Sequence, residues 1–535
     1  MAIELCTRVG PFAAGPVTVS FDDPAGVRDR PGAHLRASVA RIVLGAAERV
    51  LPPGCDRRLT IHTVLADVGI DGDRFLDAVT DLEGRYGMRF HASWLTGIRT
   101  CGDLVDRVAE HMFDAADRMP PAGVRGAAAQ PRPSAADADA DPWPECRALE
   151  ERLAGLEAAG LENPFLLANE QVAGRTATLR GRETIAYTSF DYLGLAGHPA
   201  VKQAAIDAIG RFGCSASASR MVGGNNTVLD DLDAELAAFI GTERAVVFPC
   251  GYGTNASVFN HLFGEGDLIL YDELAHNSIV QGAGLSKAGK RPFRHNDHEQ
   301  LDALLRDLRS QYRRVVVAIE GVYSMDGDYP DLPRFLEVKR RHDALLYVDE
   351  AHSIGTMGPE GRGICDFFGV DPREGDLWMG TISKALGAQG GYLAGPERLI
   401  RYLGYTTPAF VFSTACSPAN AAAALEAVRV IRREPWRLAQ LRERSDLFLK
   451  LCLDSGLDTG TSADTPVIPV ILGSSARAME VSQRLLAHGI NARPILYPAV
   501  RESAARVRFF LTCEHTEEQI VHTVETLAEV VTATA

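Results

Sequence analysis

Residues 345–355 read LLYVDEAHSIG, and residues 379–387 read MGTISKALG. The first is an apolar run that stops abruptly at Asp349, Glu350 and His352. The second is another apolar run, ending in small hydroxyl residues around Lys384 and a glycine-rich turn. Runs of this kind recur upstream as ERAVVFP, DLILYD and RRVVVAIEG, alternating with helical stretches such as LDDLDAELAAFIG and DLPRFLEVKRRH. Continuous apolar strands separated by amphipathic helices predict an α/β fold, a mostly parallel central sheet with helices on both faces. In such sheets ligands gather at the carboxyl ends of the strands, where Asp349 and Lys384 fall.

An acid at a strand end with an imidazole three residues on suits a pyridine ring. Asp349 can face the ring nitrogen and His352 the ring hydroxyl. At an effective dielectric of ~20 and ~4 Å the acid–pyridinium pair is worth roughly 4 kcal/mol and keeps the ring an electron sink. The same residues also read as an aspartate capping the next turn beside a solvated histidine. Lys384, thirty-five residues after Asp349, strengthens the first reading, because a desolvated lysine is an amine nucleophile. Thr381 and Ser383 can reach a phosphate there. In VVFPCGYGTNASV, Gly251, Tyr252 and Gly253 open a helix whose backbone N–H groups can bind the same phosphate, and His276 in LYDELAHNSIV is placed to stack on the open ring face. Pyridoxal 5'-phosphate (PLP) is the cofactor that asks for this set.

In order along the chain stand DYLGLAGHP, SASRMVGG, CGYGTN, DELAHNSI, FRHND, EGVYSMDGDYPDLP, VDEAHSIG, TISKALG, FVFSTACSP and ARVRFFLT. With these, residues 160–532 resemble the α-oxoamine synthases, which include 5-aminolevulinate synthase, 8-amino-7-oxononanoate synthase and serine palmitoyltransferase. The resemblance implies a fold-type I PLP-dependent homodimer with a shared active site. By motif position Lys384 is the Schiff-base lysine, Asp349 the ring-nitrogen partner, His352 the ring-hydroxyl partner and His276 the stacking residue. Gly251, Tyr252 and Thr381 bind phosphate, with Thr414 from the other subunit, and Ser324 lies on the cofactor side. Arg508 holds the amino acid carboxylate, a task suited to its two-pronged guanidinium.

Three positions depart from the family pattern. Phe190 stands where an asparagine is common and where serine palmitoyltransferase is aromatic. Arg501 and Ser503 replace the usual Pro and Gly near the substrate arginine. Ser219 replaces the threonine with which 5-aminolevulinate synthase excludes substrates larger than glycine. The implied reaction condenses a small amino acid (glycine, alanine or serine) with an acyl thioester, of CoA or of an acyl carrier protein, and releases CO₂ to leave an α-aminoketone, in a natural-product pathway. The alternatives are another fold-type I activity, an aminotransferase or an aminoketone lyase, and a catalytically silent scaffold.

The rest of the chain sets the context. At 535 residues more than one folding unit is expected. Between Pro120 and Pro142, PPAGVRGAAAQPRPSAADADADP offers little to bury and reads as linker. The expected division is a helical unit over 31–113, a linker over 114–145 and an α/β body over 146–535, with a cofactor domain over about 200–415 and a C-terminal α/β lobe over about 416–535. In the first unit LRASVARIVLGAAERVL, FLDAVTDLEGRYGM and CGDLVDRVAEHM have helical apolar spacing, predicting a small all-α bundle. It resembles an acyl carrier protein in which Asp71-Gly72-Asp73 replaces Asp-Ser-Leu, so the serine that would carry phosphopantetheine is Gly72, which has no hydroxyl. That resemblance suggests an acyl carrier protein as partner.

With 55 basic and 70 acidic side chains the formal charge is −15, which argues against nucleic acid and acidic membranes. The ten cysteines show no C-x-x-C or metal-ligand spacing, so no metal is expected. No apolar stretch approaches the ~20 residues of a membrane span, and MAIELCTRVG lacks the pattern of a secretory signal; a cytoplasmic protein is expected.

Overall fold

The computed structural model describes residues 143–534, other than 159 and 498, together with Val43, Leu44, Ala47, Cys101 and Leu104. The chain divides into two compact units, Met1–Ala140 and Asp141–Ala535. The five described positions of the first unit are helical and buried. The carrier-like bundle expected over 31–113, its Gly72 and the linker up to Pro142 otherwise lie outside the described residues.

The second unit opens with a helix, Pro144–Ala158, and three short antiparallel strands, β1 (Gln171–Ala173), β2 (Thr176–Leu179) and β3 (Arg182–Ala186). Seven strands then build the central sheet: β4 (Arg244–Phe248), β5 (Asp267–Asp272), β6 (Gly289–Phe293), β7 (Arg314–Glu320), β8 (Leu345–Asp349), β9 (Leu377–Thr381) and β10 (Gly391–Gly395). Their order is β4-β10-β9-β8-β7-β5-β6. β5 to β9 pair in parallel, and β10 runs antiparallel between β9 and β4.

Alternate residues of these strands feed two separate cores. Val315, Val317 and Ile319 of β7 join Leu346 and Val348 on one face, while Val316 and Ala318 join Tyr347 on the other. Both faces are therefore covered, which is why the strands are apolar throughout instead of alternating. The expected mostly parallel, two-sided sheet is what forms.

The C-terminal part adds β11 (Val467–Ile471), β12 (Ile490–Asn491), β13 (Arg493–Ile495) and β14 (Arg506–Phe510). β11, β14 and β13 form an antiparallel sheet packed by the helix Ser475–Ala487, on which the helix Glu517–Ala533 lies in turn. β12 pairs in parallel with β3, Ile490 opposite Ile185, so the strands at 171–186 are woven into the C-terminal part of the body.

Candidate active site

The acids and the lysine sit where the parallel strands end. Glu320 closes β7 and Asp349 closes β8, side by side in register. Thr381 closes β9, and Lys384 follows in the turn that returns as β10. All three sites thus project from one edge of a rigid sheet.

Asp349 is buried and firmly oriented. Asn255, in the helix Gly251–Leu262, donates from Nδ2 to its Oδ2 at 2.7 Å, and the Ala351 N–H donates to Oδ1 at 2.9 Å. Tyr347 donates to Asn255 Oδ1 at 2.6 Å, and Nδ2 also reaches Ser278 Oγ at 2.9 Å, so the amide cannot turn over without loss. The capping reading of Asp349 is therefore half realised: one oxygen holds the turn.

His352 is buried, with Nδ1 2.7 Å from the Tyr192 hydroxyl. Burial, then the charges of Lys384 and Arg508, hold its imidazole well below the usual histidine range, so it is neutral, and it is not the solvated histidine of the alternative reading. Its ring lies 5.7 Å from Phe190 and stacks at 6.3 Å on Phe510.

Lys384 Nζ lies 5.6 Å above the Phe190 ring. Burial lowers its amine from 10.5 to about 8, against the opposing pull of Asp349 and Glu320. Glu320 is itself pushed well above the carboxylate range by burial and by Asp349, and accepts the backbone N–H of His276. His276 caps the helix Asn277–Leu285 through Nδ1, which meets Ser278 Oγ at 2.7 Å, and leaves its ring exposed. The atoms packed around one side of the ring still desolvate it enough to lower its pKa, with Lys384 acting in the same direction and Asp349 against it.

Arg508 on β14 reaches into the same space. Nη1 donates to the Ser324 carbonyl at 2.5 Å, and the guanidinium lies 4.4 Å over Phe510. Among the described residues it has no carboxylate partner, and its Nε is buried without an acceptor. Burial lowers its pKa to about 10. A half-buried guanidinium with no carboxylate partner among the described residues and an unsatisfied Nε is a site for an incoming carboxylate. Its neighbour Arg506 is committed instead to Asp326 at 2.6 Å and to the Met325 carbonyl.

The phosphate end is also formed. The Gly251 and Tyr252 N–H groups begin the helix with no acceptor among the described residues, while Gly253 N–H is taken by Cys250 Sγ at 3.3 Å. A Cβ on Gly251 would come within 3.3 Å of Thr381 Oγ1, so only glycine leaves room for a ligand between them without a shift. Thr381 gives its hydroxyl proton to the Gly390 carbonyl at 2.7 Å, and Ser383 Oγ stands beside it at 2.8 Å. Orphaned helix N–H groups, hydroxyls, a neutral imidazole, an oriented acid and a depressed amine fit PLP. Lys384 would hold its aldehyde carbon, Asp349 its ring nitrogen and the Gly251 turn its phosphate.

Ser219 caps the bend at Arg220–Gly224, its Oγ buried without a partner. Thr414 stands exposed after the helix Pro408–Val411 and is not drawn to the phosphate end of its own chain. Among the described residues no cluster of three or more His, Cys, Asp or Glu could hold a metal, and no helix is long and apolar enough to cross a membrane. Asn255, Tyr192 and Glu320 belong to the site and were not singled out from sequence.

Residues 184–527 match the aminotransferase class I and II family. The chain is 41% identical over 382 residues to 8-amino-7-oxononanoate synthase of Symbiobacterium thermophilum, covering 71% of this chain and 97% of that enzyme. The chain belongs to the α-oxoamine synthase family. Among solved structures, this synthase resembles serine palmitoyltransferase of Sphingomonas wittichii with 31% identity and a TM-score of 0.71, over 74% of this chain and 99% of the other. A high-resolution structure of SPT with its PLP internal aldimine gives the same TM-score of 0.71 at 28% identity, with the same coverage. The synthase also resembles 8-amino-7-oxononanoate synthase from Francisella tularensis, with 26% identity and a TM-score of 0.57 over 65% of this chain and 98% of that one.

Proposed function

We propose that this synthase condenses a small amino acid (glycine, alanine or serine) with an acyl thioester, with loss of CO₂, to give an α-aminoketone. The observation that carries the reading is the meeting, where the parallel strands end, of a desolvated amine, an oriented acid, a neutral imidazole and a guanidinium with no carboxylate partner among the described residues. Linked rings join them, from Lys384 over Phe190 to His352, Phe510 and Arg508.

Bound PLP would supply the electron sink for the pair left on the α-carbon. The residues of the chain do the rest. Arg508 fixes the substrate carboxylate so that the α-hydrogen faces Lys384. The Lys384 amine, about 8, is a base matched to neutral pH and takes that proton. The α-carbon forms a bond to the thioester carbonyl, and the C–S bond breaks to release a thiolate, which takes a proton from water. The bond to the original carboxylate then breaks as CO₂, and Lys384 returns a proton to the α-carbon. Asp349, held by Asn255, faces the ring nitrogen. Beside Lys384 a cavity of about 370 Å³, lined by Val172, Ala186, Phe190 and Ala388 together with Asn169 and Asp191, is the space open to the acyl thioester. Ser219, smaller than threonine, leaves room for the side chain of alanine or serine.

The synthase acts as a homodimer in the cytoplasm. Val222, Tyr252, Leu274, Leu285 and Phe412 are exposed apolar residues within a few positions of Ser219, Gly251, His276 and Thr414 or on the helix that His276 caps. A second copy would cover them and bring Thr414 to the phosphate. The carrier-like unit over 31–113 fits a thioester presented on an acyl carrier protein.

The test is product accounting with purified protein. Glycine, alanine or serine with an acyl-CoA or acyl-carrier thioester should release CO₂ and thiol one for one, and K384A should release neither. Amino transfer to a keto acid without CO₂ would sink the proposal in favour of an aminotransferase.

A further inference from the structure

We infer that Tyr192 is a positioning residue that fixes the tautomer of His352, so that the proton of the imidazole stands on Nε2 and is offered to the cofactor side. The inference rests on the proposed placement of His352 beside the ring hydroxyl, and it concerns a residue that the chemistry above does not use.

The argument is one of proton counting. Tyr192 is fully buried, and its hydroxyl lies 2.7 Å from His352 Nδ1. It has no other hydrogen-bond partner among the described residues. A neutral phenol has one proton to give, and burial keeps this phenol protonated by pushing its pKa up. If Nδ1 carried the imidazole proton, that N–H would point at the hydroxyl oxygen and the phenolic proton would be left without an acceptor among the described residues. If Nδ1 is bare, the phenol donates to it and both groups are satisfied. The second arrangement is preferred because an unsatisfied buried donor is costly.

His352 Nε2 has no protein partner among the described residues, so its proton remains available. A donor at that position favours an oxyanion on the ring, and an acceptor would oppose it. The hydroxyl therefore acts through the histidine without touching a ligand. The surroundings hold the pair rigid. Tyr192 packs edge-on to His352 and Phe510, both ring pairs at 6.2 Å, and its carbonyl accepts the Cys513 N–H at 2.8 Å. Every charged or titratable group that acts on the imidazole, namely Lys384, Arg508 and His276, is on the other elements of the site and favours the neutral ring.

Tyr192→Phe removes one oxygen and leaves the ring packing and the backbone bond in place. The first readout needs no cofactor: ¹⁵N NMR of histidine-labelled apoprotein, with His352→Asn to assign the signal. The wild type should show the Nε2–H pattern, and Tyr192→Phe should move toward a mixture. The second readout is the visible band of the PLP-loaded protein, whose midpoint pH should shift in Tyr192→Phe in the same direction as in His352→Asn. Tyr187→Phe, which removes another buried hydroxyl, bonded to Thr523 at 3.0 Å, should shift neither signal. Turnover of Tyr192→Phe should fall about tenfold in kcat, with KM for the thioester unchanged.

A wild-type Nδ1–H tautomer, or a Tyr192→Phe spectrum identical to wild type in both readouts, would overturn the inference and leave the cofactor assignment standing. If His352→Asn leaves the visible band untouched, the placement of His352 is wrong and the inference falls with it.

Discussion

The Lys384 amine gives the sharpest test, because its protonation governs capture of the cofactor. An ordinary lysine at pH 7 has about one amine in three thousand free of a proton. With the pKa lowered from 10.5 to about 8, the neutral share at pH 7 rises to roughly one in ten. The capture of PLP by apoenzyme should therefore climb nearly tenfold per pH unit from 6 to 7.5 and level off above about 8.5. Stopped-flow absorbance on mixing apoenzyme with PLP measures the rate, with Nα-acetyl-lysine as the reference whose curve bends near 10.5. Asp349→Asn removes the largest opposing charge, so its bend should move to lower pH. A rate independent of pH from 6 to 9, or one still rising tenfold per unit at pH 9.5, would refute the desolvated amine. Capture by Lys384→Ala at the wild-type rate would refute the lysine itself.

Arg508→Ala should raise KM for the amino acid about 10- to 150-fold and leave the thioester KM unchanged, since a charge-assisted bond is worth roughly 1.5–3 kcal/mol; Arg508→Lys should recover only part, lacking the fork. Steady-state kinetics on both substrates checks this, and an equal rise in both constants would count against a carboxylate role. Asn255→Ala strips a buried acid of its side-chain donor, so thermal unfolding should show a loss of about 1–3 kcal/mol together with weaker PLP retention on dialysis; unchanged retention would argue that Asp349 needs no orienting partner. His295 bridges Asp272 and Asp328 at 2.9 and 3.0 Å, and these acids raise its pKa to about 10 against the opposing effect of burial. The folded value lies above the unfolded 6.5, so its stabilisation is complete below pH 6.5 and fades as pH rises through 10. The melting temperature of wild type should fall relative to His295→Gln between pH 6.5 and 10, and parallel curves would exclude the linkage.

The central sheet was legible because its strands are buried on both faces and so read as unbroken apolar runs. RRVVVAIEG and ALLYVDE became β7 and β8 almost residue for residue. β1 to β3 were not read, since QVA, TATL and RETIA are short and polar and take their meaning from β12 far down the chain. The chemistry of Lys384, Asp349 and His352 was visible as motif spacing, and the structure brings these residues together with Arg508. What spacing could not show was support. Asn255 lies inside GYGTNASV, where a poor helix former at a buried position was the available signal. Tyr192 stands in DYLGLAGHP with no role that spacing could give it, and its hydroxyl acquires a partner only when residues 160 positions apart meet. Phe190 was read as a departure from pattern; the fold turns it into the floor beneath the lysine. Thr414 faces outward, and its expected role depends on a second copy.

The parallel pairing of β3 with β12 has a kinetic meaning. Arg182 bonds the Ala487 carbonyl across 305 residues, so this part of the body closes a very long loop. During synthesis the outer edge of β3 must wait, unpaired, until the ribosome has delivered residue 490, and Arg508 arrives later still. The carboxylate pocket is thus among the last features to be assembled, and a chain stopped short of β14 can complete its cofactor sheet while remaining unable to grip a substrate.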